Sequence, residues 1–183
     1  MINEIMNCNK CNMCNNQRPL LDKVEKCDVM WVGLSAKQVD NVLDEVPLSV
    51  ATKSGKLINE MESEVQGCKF YKTNVVKCLP LNNNGKLRYP TKKEMDLCIV
   101  NLKKEIELLK PKIIILLGNN VIQSVEKSMK VTFDKFNDYE YKLYKYGEFS
   151  FLPIHHPSYI SVYKRKSKEI YIDSVKELIM LSL

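Results

Sequence analysis

Apolar positions along the chain fall into short continuous blocks separated by stretches of helical period. Asp28–Gly33 ends its apolar run on glycine, and Lys112–Leu117 is closed by Gly118. Phe70–Val76 is rich in β-formers, and Ser150–Ile154 is a further apolar run. Runs this short, bounded by turn residues, read as strands buried on both faces. Tyr141–Tyr146 alternates like a half-exposed strand. Between these blocks, Leu57, Ile58, Met61 and Val65 share one helical face, as do Met95, Cys98, Leu102, Ile106 and Leu109. The second of these helices has a start and a stop: Thr91 with Glu94 makes a capping-box pattern, and Pro111 sits just past the end. Asn119–Met129 and Lys168–Leu183 read as further helices, and Ser35–Glu45 as another. Residues 47–52 and 81–90 read as loops, the latter from three consecutive Asn, Gly85 and Pro90.

Buried strands alternating with helices predict an α/β fold, a three-layer sandwich with a central, mostly parallel four-stranded sheet flanked by helices. In such sheets ligands bind beyond the carboxyl ends of the strands. Three strand ends carry unusual residues: Gly33-Leu34-Ser35, Asn74 to Cys78, and His155 to Ser158. They are expected to meet around one crevice.

The chain has 183 residues, 45% hydrophobic and 27% charged, which suits one globular domain over 1–183 and is too apolar for a disordered chain. Repeats, low-complexity tracts and flexible linkers are absent from the sequence. No apolar run approaches the roughly 20 residues that span a bilayer. Met1–Arg18 is polar and Asn-rich, unlike a signal or transit peptide, so a cytoplasmic protein with no membrane partner, acting as a monomer, is expected. The net charge of +6 permits a nucleic-acid partner without requiring one.

Seven cysteines change the picture. Without a secretion signal they suggest a metal or cluster rather than disulfides. Cys8-x2-Cys11, with Cys14 close behind, lies in an irregular arm, residues 1–26. Cys78 follows a strand and Cys98 lies 20 residues later on the next helix. Two near and two distant ligands could pin the arm to the domain. The competing reading makes Cys98 a small core hydrophobe and Cys78 a free thiol. Cys27 and Cys68 have no evident partners. All-cysteine ligation does not choose between zinc and an iron–sulfur cluster.

Taken in order, these motifs resemble the iron–sulfur uracil-DNA glycosylases of family 4 and its relatives. The resemblance rests on Cys8-x2-Cys11-x6-Arg18, a strand ending in Gly33, Ser54-Gly55-Lys56-Leu57 and Thr73-Asn74-Val75-Val76-Lys77-Cys78-x-Pro80. It continues through Glu94-x3-Cys98, the Pro111–Gly118 segment and His156-Pro157-Ser158-Tyr159. It implies a uracil-DNA glycosylase-like fold and base excision from DNA, single- or double-stranded. It implies that Cys8, Cys11, Cys78 and Cys98 hold a 4Fe–4S cluster, zinc being the alternative. Asn74 is then the amide that reads the edge of a uracil-type base, and Gly33, Leu34 and Leu48 line the base site. His156 is the donor that stabilises the departing base, with His155 as a supporting neighbour. Ser158, Tyr159, Lys164, Arg165 and Lys166 belong to the segment that grips DNA.

The sequence departs from that family at its first motif. Leu34 stands where the family carries an acidic or amide residue that positions water, and Lys37 adds a cation beside it. Leu48 replaces the aromatic that would stack on the extruded base. Two functions follow from this mixture. One is an active glycosylase hydrolysing the N-glycosidic bond of uracil or another deaminated base. The other is an inactive glycosylase-fold pseudoenzyme that binds DNA, a protein partner or a glycosylase inhibitor.

Overall fold

The computed structural model describes residues 2–183. Its sheet is built from β1 (Val29–Ser35), β2 (Phe70–Val76), β3 (Ile113–Leu117), β4 (Tyr144–Tyr146) and β5 (Phe149–Ile154) in the order β2-β1-β3-β5-β4. β2, β1, β3 and β5 are all parallel, and only β4 runs antiparallel, against β5. The expected four-stranded parallel core is therefore present with a fifth, antiparallel strand on its edge. That strand comes from the half-exposed segment but starts at Tyr144, because Tyr141 turns inward and is buried.

Alternate residues of the parallel strands face opposite layers, which is why the strands read as unbroken apolar runs. Met30, Val32, Ile114, Leu116 and Phe151 pack on one face, against α3 (Lys92–Leu109) and α4 (Asn119–Met129). Val29, Trp31, Ile113, Ile115, Leu152 and Ile154 pack on the other, against α2 (Lys53–Ser63), α5 (Pro157–Tyr163) and α6 (Lys168–Met180). The helix α3 opens with the capping box expected at Thr91 and Glu94, and ends at Lys110 in the left-handed conformation just before Pro111. No helix among the described residues is long and apolar enough to cross a membrane.

The expected helix over Ser35–Glu45 is absent. Ser35 ends β1, and the following residues form bends and turns. The side chain of Gln17 donates to the Lys37 carbonyl (3.0 Å) and accepts from the Val39 amide (3.0 Å), so the segment is tied to the arm by backbone groups that a helix would use internally. The arm carries local structure of its own: α1 (Ile2–Met6) and a 3₁₀ turn at Asn12–Asn15. It is docked on the segment after β2, where the Leu20 amide donates to the Lys77 carbonyl (2.8 Å) and the Asn16 amide to that of Leu79 (2.9 Å). Ile5 and Leu20 are fully buried there.

Candidate active site and cysteine cradle

The carboxyl ends of β1, β2, β3 and β5 open into one cavity of about 790 Å³. Leu34, Leu48, Asn74, His156, Ser158 and Tyr159 all line it, so most of the expected site residues are brought together. None of its lining residues is Asp or Glu. Lys37 lines it too, ion-paired with Glu45 at 3.1 Å. Lys164, Arg165 and Lys166 do not line the cavity; they lie exposed in the turn that follows α5.

Asn74 lies in β2 directly beside Gly33 of β1. The approach is close: a Cβ on Gly33 would fall 2.4 Å from the Asn74 Oδ1 and 3.1 Å from a Leu48 methyl, so a side chain there would have to shift. Asn74 is 3% exposed and lines the cavity. Its carboxamide makes no hydrogen bond among the described residues, so a donor and an acceptor open to the cavity are free for a ligand. Leu48 stands over the same spot with φ +53°, a left-handed conformation that costs a leucine about 1–2 kcal/mol.

Below Asn74 the backbone is braced. The buried Lys77 ammonium donates to the Asn74 carbonyl (2.6 Å) and the Thr73 hydroxyl (2.5 Å), and is ion-paired with Glu105. Glu105, fully buried, also accepts from the Tyr71 hydroxyl (2.9 Å) and the Thr73 hydroxyl (3.1 Å). The sequence reading missed this network. Its signal was a carboxylate on the apolar face of α3, one turn beyond Leu102.

His156 caps the amino end of α5, with Pro157 in the first helical position. Its Nδ1 accepts the Ser158 backbone N–H at 3.2 Å and lies 2.7 Å from the Ser158 hydroxyl. A backbone amide can only donate, so Nδ1 is an acceptor and the neutral ring carries its proton on Nε2. Burial pulls the imidazole below its ordinary pKa, which favours this neutral form. Gly118, at φ +83°, lets the turn between β3 and α4 pass close to the His156 main chain: a Cβ there would meet His156 Cβ at 3.0 Å. That turn adds Asn119 and Asn120 to the cavity wall, polar residues the sequence reading overlooked. His155 supports from behind, 2.7 Å from the Tyr141 hydroxyl, while its carbonyl accepts from Tyr171 at 3.0 Å.

The cysteines gather on the α3 side of the sheet. Cys78 and Cys98 are buried in the core there, and Cys11 and Cys14 pack against the same core. The Asn101 amide reaches both the Cys8 sulfur (3.7 Å) and the Cys98 sulfur (3.8 Å), and the Lys77 backbone N–H points at Cys98 Sγ (3.4 Å). Burial pushes the Cys78 thiol up, and the sulfurs of Cys98, Cys11, Cys14 and Cys8 push it further, because several thiolates crowded together repel. Such a group is stable as thiolates only around a cation. Among the described residues, no group of three or more Cys, His, Asp or Glu could hold a single metal ion. Asn101 and Lys77 aim N–H donors at these sulfurs, as the surroundings of a thiolate-bound group do. Cys14 turns its thiol to the Cys11 carbonyl (3.1 Å). Cys27 and Cys68 precede β1 and β2 and lie at the opposite end of the sheet.

Comparison with known proteins agrees with this geometry. The profile of the uracil DNA glycosylase superfamily matches residues 17–178. A Type-4 uracil-DNA glycosylase of Archaeoglobus fulgidus is 27% identical over 97% of this chain and 89% of its own length. Another, of Pyrobaculum aerophilum, is 30% identical over 77% of this chain and 70% of its own. The crystal structure of wild-type SMUG2 from Pedobacter heparinus has the same fold, with a TM-score of 0.56, 16% identity and coverage of 85% of this chain and 76% of its own. With the matched profile running from the docked arm to α6 and both strand tips in place, the chain belongs to the uracil DNA glycosylase superfamily.

Proposed function

We propose that this protein is a DNA glycosylase that hydrolyses the N-glycosidic bond of uracil or another deaminated base. One observation carries the reading: an unpartnered Asn74 carboxamide and a neutral His156 with its proton on Nε2 line the same cavity. An extruded uracil presents O4 to the Asn74 amide donor and N3–H to its carbonyl. When the bond to the sugar breaks, its electron pair stays with the base and charge builds on O2. The Nε2–H of His156 supplies a preorganised donor for that charge. Water then adds to the sugar C1′ and releases its proton to solvent. With Leu34 in the first motif, no side chain there activates the water, so stabilisation of the leaving base carries most of the acceleration.

Cys8, Cys11, Cys78 and Cys98 are the residues that would hold a 4Fe–4S cluster. Such a cluster acts structurally, tying the arm to the segment that carries Asn74. Ser158, Tyr159, Lys164, Arg165 and Lys166 hold the DNA beside the cavity, the basic residues by neutralising phosphates.

The test is excision from oligonucleotides holding one deoxyuridine, single-stranded and paired, read as abasic product. Cleavage is expected, with His156→Ala lowering kcat about 10²–10³-fold, as removal of an oxyanion donor does. DNA binding without any abasic product from the wild-type protein would overturn the proposal.

A further inference from the structure

The mouth of the cavity carries apolar rings that nothing in the core explains. On one side, α5 sets a ladder at helical spacing. The His155 and Tyr159 rings are stacked with centroids 5.7 Å apart and planes at 16°, and Tyr159 meets Tyr163 at 5.8 Å and 38°. Exposure rises along it, from 39% at Tyr159 to 75% at Tyr163, so the ladder ends on an uncovered aromatic face. On the other side, Leu87 and Tyr89 are 63% and 78% exposed. Both rims border the same cavity.

Tyr89 stands out because its loop is held in place. Leu81 and Leu87 pair as a β-bridge. Arg88 between Leu87 and Tyr89 donates to the Leu81 carbonyl (3.0 Å) and the Tyr89 carbonyl (3.0 Å), and grips Glu94 through two bonds of 2.8 and 2.6 Å. The arginine fixes the loop to the start of α3 and so presents the ring to solvent. Beyond Tyr163 come Lys164, Arg165 and Lys166, exposed cations suited to a phosphate backbone.

We infer that this two-sided rim is a stacking clamp for single-stranded DNA, taking the bases on either side of the nucleotide in the cavity. The inference rests on reading the cavity as the site of an extruded base. A duplex keeps its base faces inside the stack and offers a protein only edges and phosphates. Exposed rings on both sides of one pocket, with cations alongside, match a strand whose bases are free to stack outward. Tyr163 takes the neighbour on one side and Tyr89 the neighbour on the other.

The test measures binding of a single-stranded oligonucleotide with a central thymine, and of its duplex, by fluorescence anisotropy. Wild-type protein is compared with Tyr89→Ala, Tyr163→Ala and Tyr163→Phe, and excision is followed in parallel on the deoxyuridine version. Both rings are exposed, so the variants keep the fold, which an unchanged melting temperature confirms. Each alanine variant is expected to bind the single strand about tenfold more weakly, the loss of one base–aromatic stack. Duplex binding stays within about twofold, since a paired strand offers no base face to lose. Tyr163→Phe restores single-strand affinity. Parallel losses on both substrates, or no loss on either, overturn the clamp. Ring-dependent binding of the single strand with no excision of uracil upholds the clamp and overturns the glycosylase reading alone.

Discussion

The tips of β1 and β2 lie side by side in the sheet, yet they are built in opposite ways. The β2 tip is cross-braced: Lys77, Glu105, Thr73 and Tyr71 form a closed buried network, and the arm with its cysteines lies against the residues that follow. The β1 tip runs into an open loop whose cavity-facing residues are Leu34, Ser35, Lys37 and a left-handed Leu48. The difference separates two requirements of the site. Reading a base needs a carboxamide held to within a fraction of an ångström, and rigidity is what the β2 tip supplies. Activating water needs a general base on the facing wall, and that wall carries no carboxylate. The contrast favours recognition and leaving-group stabilisation over water activation.

The largest effect that separates the tips is expected from breaking the buried pair. Lys77→Met leaves Glu105 as an uncompensated charge in the core, which costs about 3–5 kcal/mol. Chemical denaturation should show that loss as a lower midpoint. Adding Glu105→Leu removes the stranded charge, and the double variant should regain much of the stability, because well-packed apolar residues often replace a buried ion pair without loss. Base excision by the double variant should still be impaired, since the Asn74 carbonyl has lost its anchor. Full activity in a stable double variant would show that the pair serves folding alone and does not position Asn74.

A smaller effect comes from the β1 side. The Gly33 backbone is ordinary for a strand, so alanine is resisted only by what its methyl would touch. That is the Asn74 Oδ1 at 2.4 Å and a Leu48 methyl at 3.1 Å. The carboxamide can swing aside at a cost of about 1 kcal/mol, the penalty of an off-rotamer side chain. Gly33→Ala should therefore raise KM about fivefold, leave the rate from bound substrate nearly intact and shift the melting temperature little. A fall in kcat as large as that of His156→Ala would mean that Asn74 acts in the transition state rather than in binding.

Much of this contrast was legible in the sequence. His156 is readable because a strand buried on both faces is apolar to its end, so the polarity changes just after Ile154, whereas Asn74 stands out as a polar residue inside β2, followed by Val75 and Val76. The cysteines were legible from spacing, although only the structure shows Asn101 reaching Cys8 and Cys98 together. Two features were not. The expected helix after Ser35 fails because Gln17, about twenty residues upstream, takes the backbone groups of Lys37 and Val39, a tertiary contact that no local period records. Whether Leu34 and Leu48 fill the cavity or merely line it depends on side-chain direction and on the left-handed turn at Leu48. A leucine in sequence gives no sign of either.

The smallest expected effect concerns pH, and it falls on the β5 tip that faces both others. Burial holds His155 and His156 below the ordinary imidazole value of 6.5. Between those lowered values and about pH 6.5 the unfolded chain binds more protons than the folded one. Stability is therefore complete above about pH 6.5 and falls as the pH drops toward the folded-state values. Glu94, held down to about 2 by its bonds with Arg88, stays ionised in the folded protein throughout this window and adds slope only as the pH nears its ordinary value of 4.5. Melting temperatures measured from about pH 7 to pH 5 should decline, and replacing both histidines with Gln should flatten the decline. Excision should follow a different course from that of a free imidazole: the neutral Nε2–H donor survives to lower pH, so the rate should hold level through about pH 6.5. A rate already halved at that pH would mean that His156 protonates like an exposed imidazole. The hydrogen bond from the Ser158 amide to its Nδ1 would then not persist in the working enzyme, and the donor role drawn from that bond would fall with it.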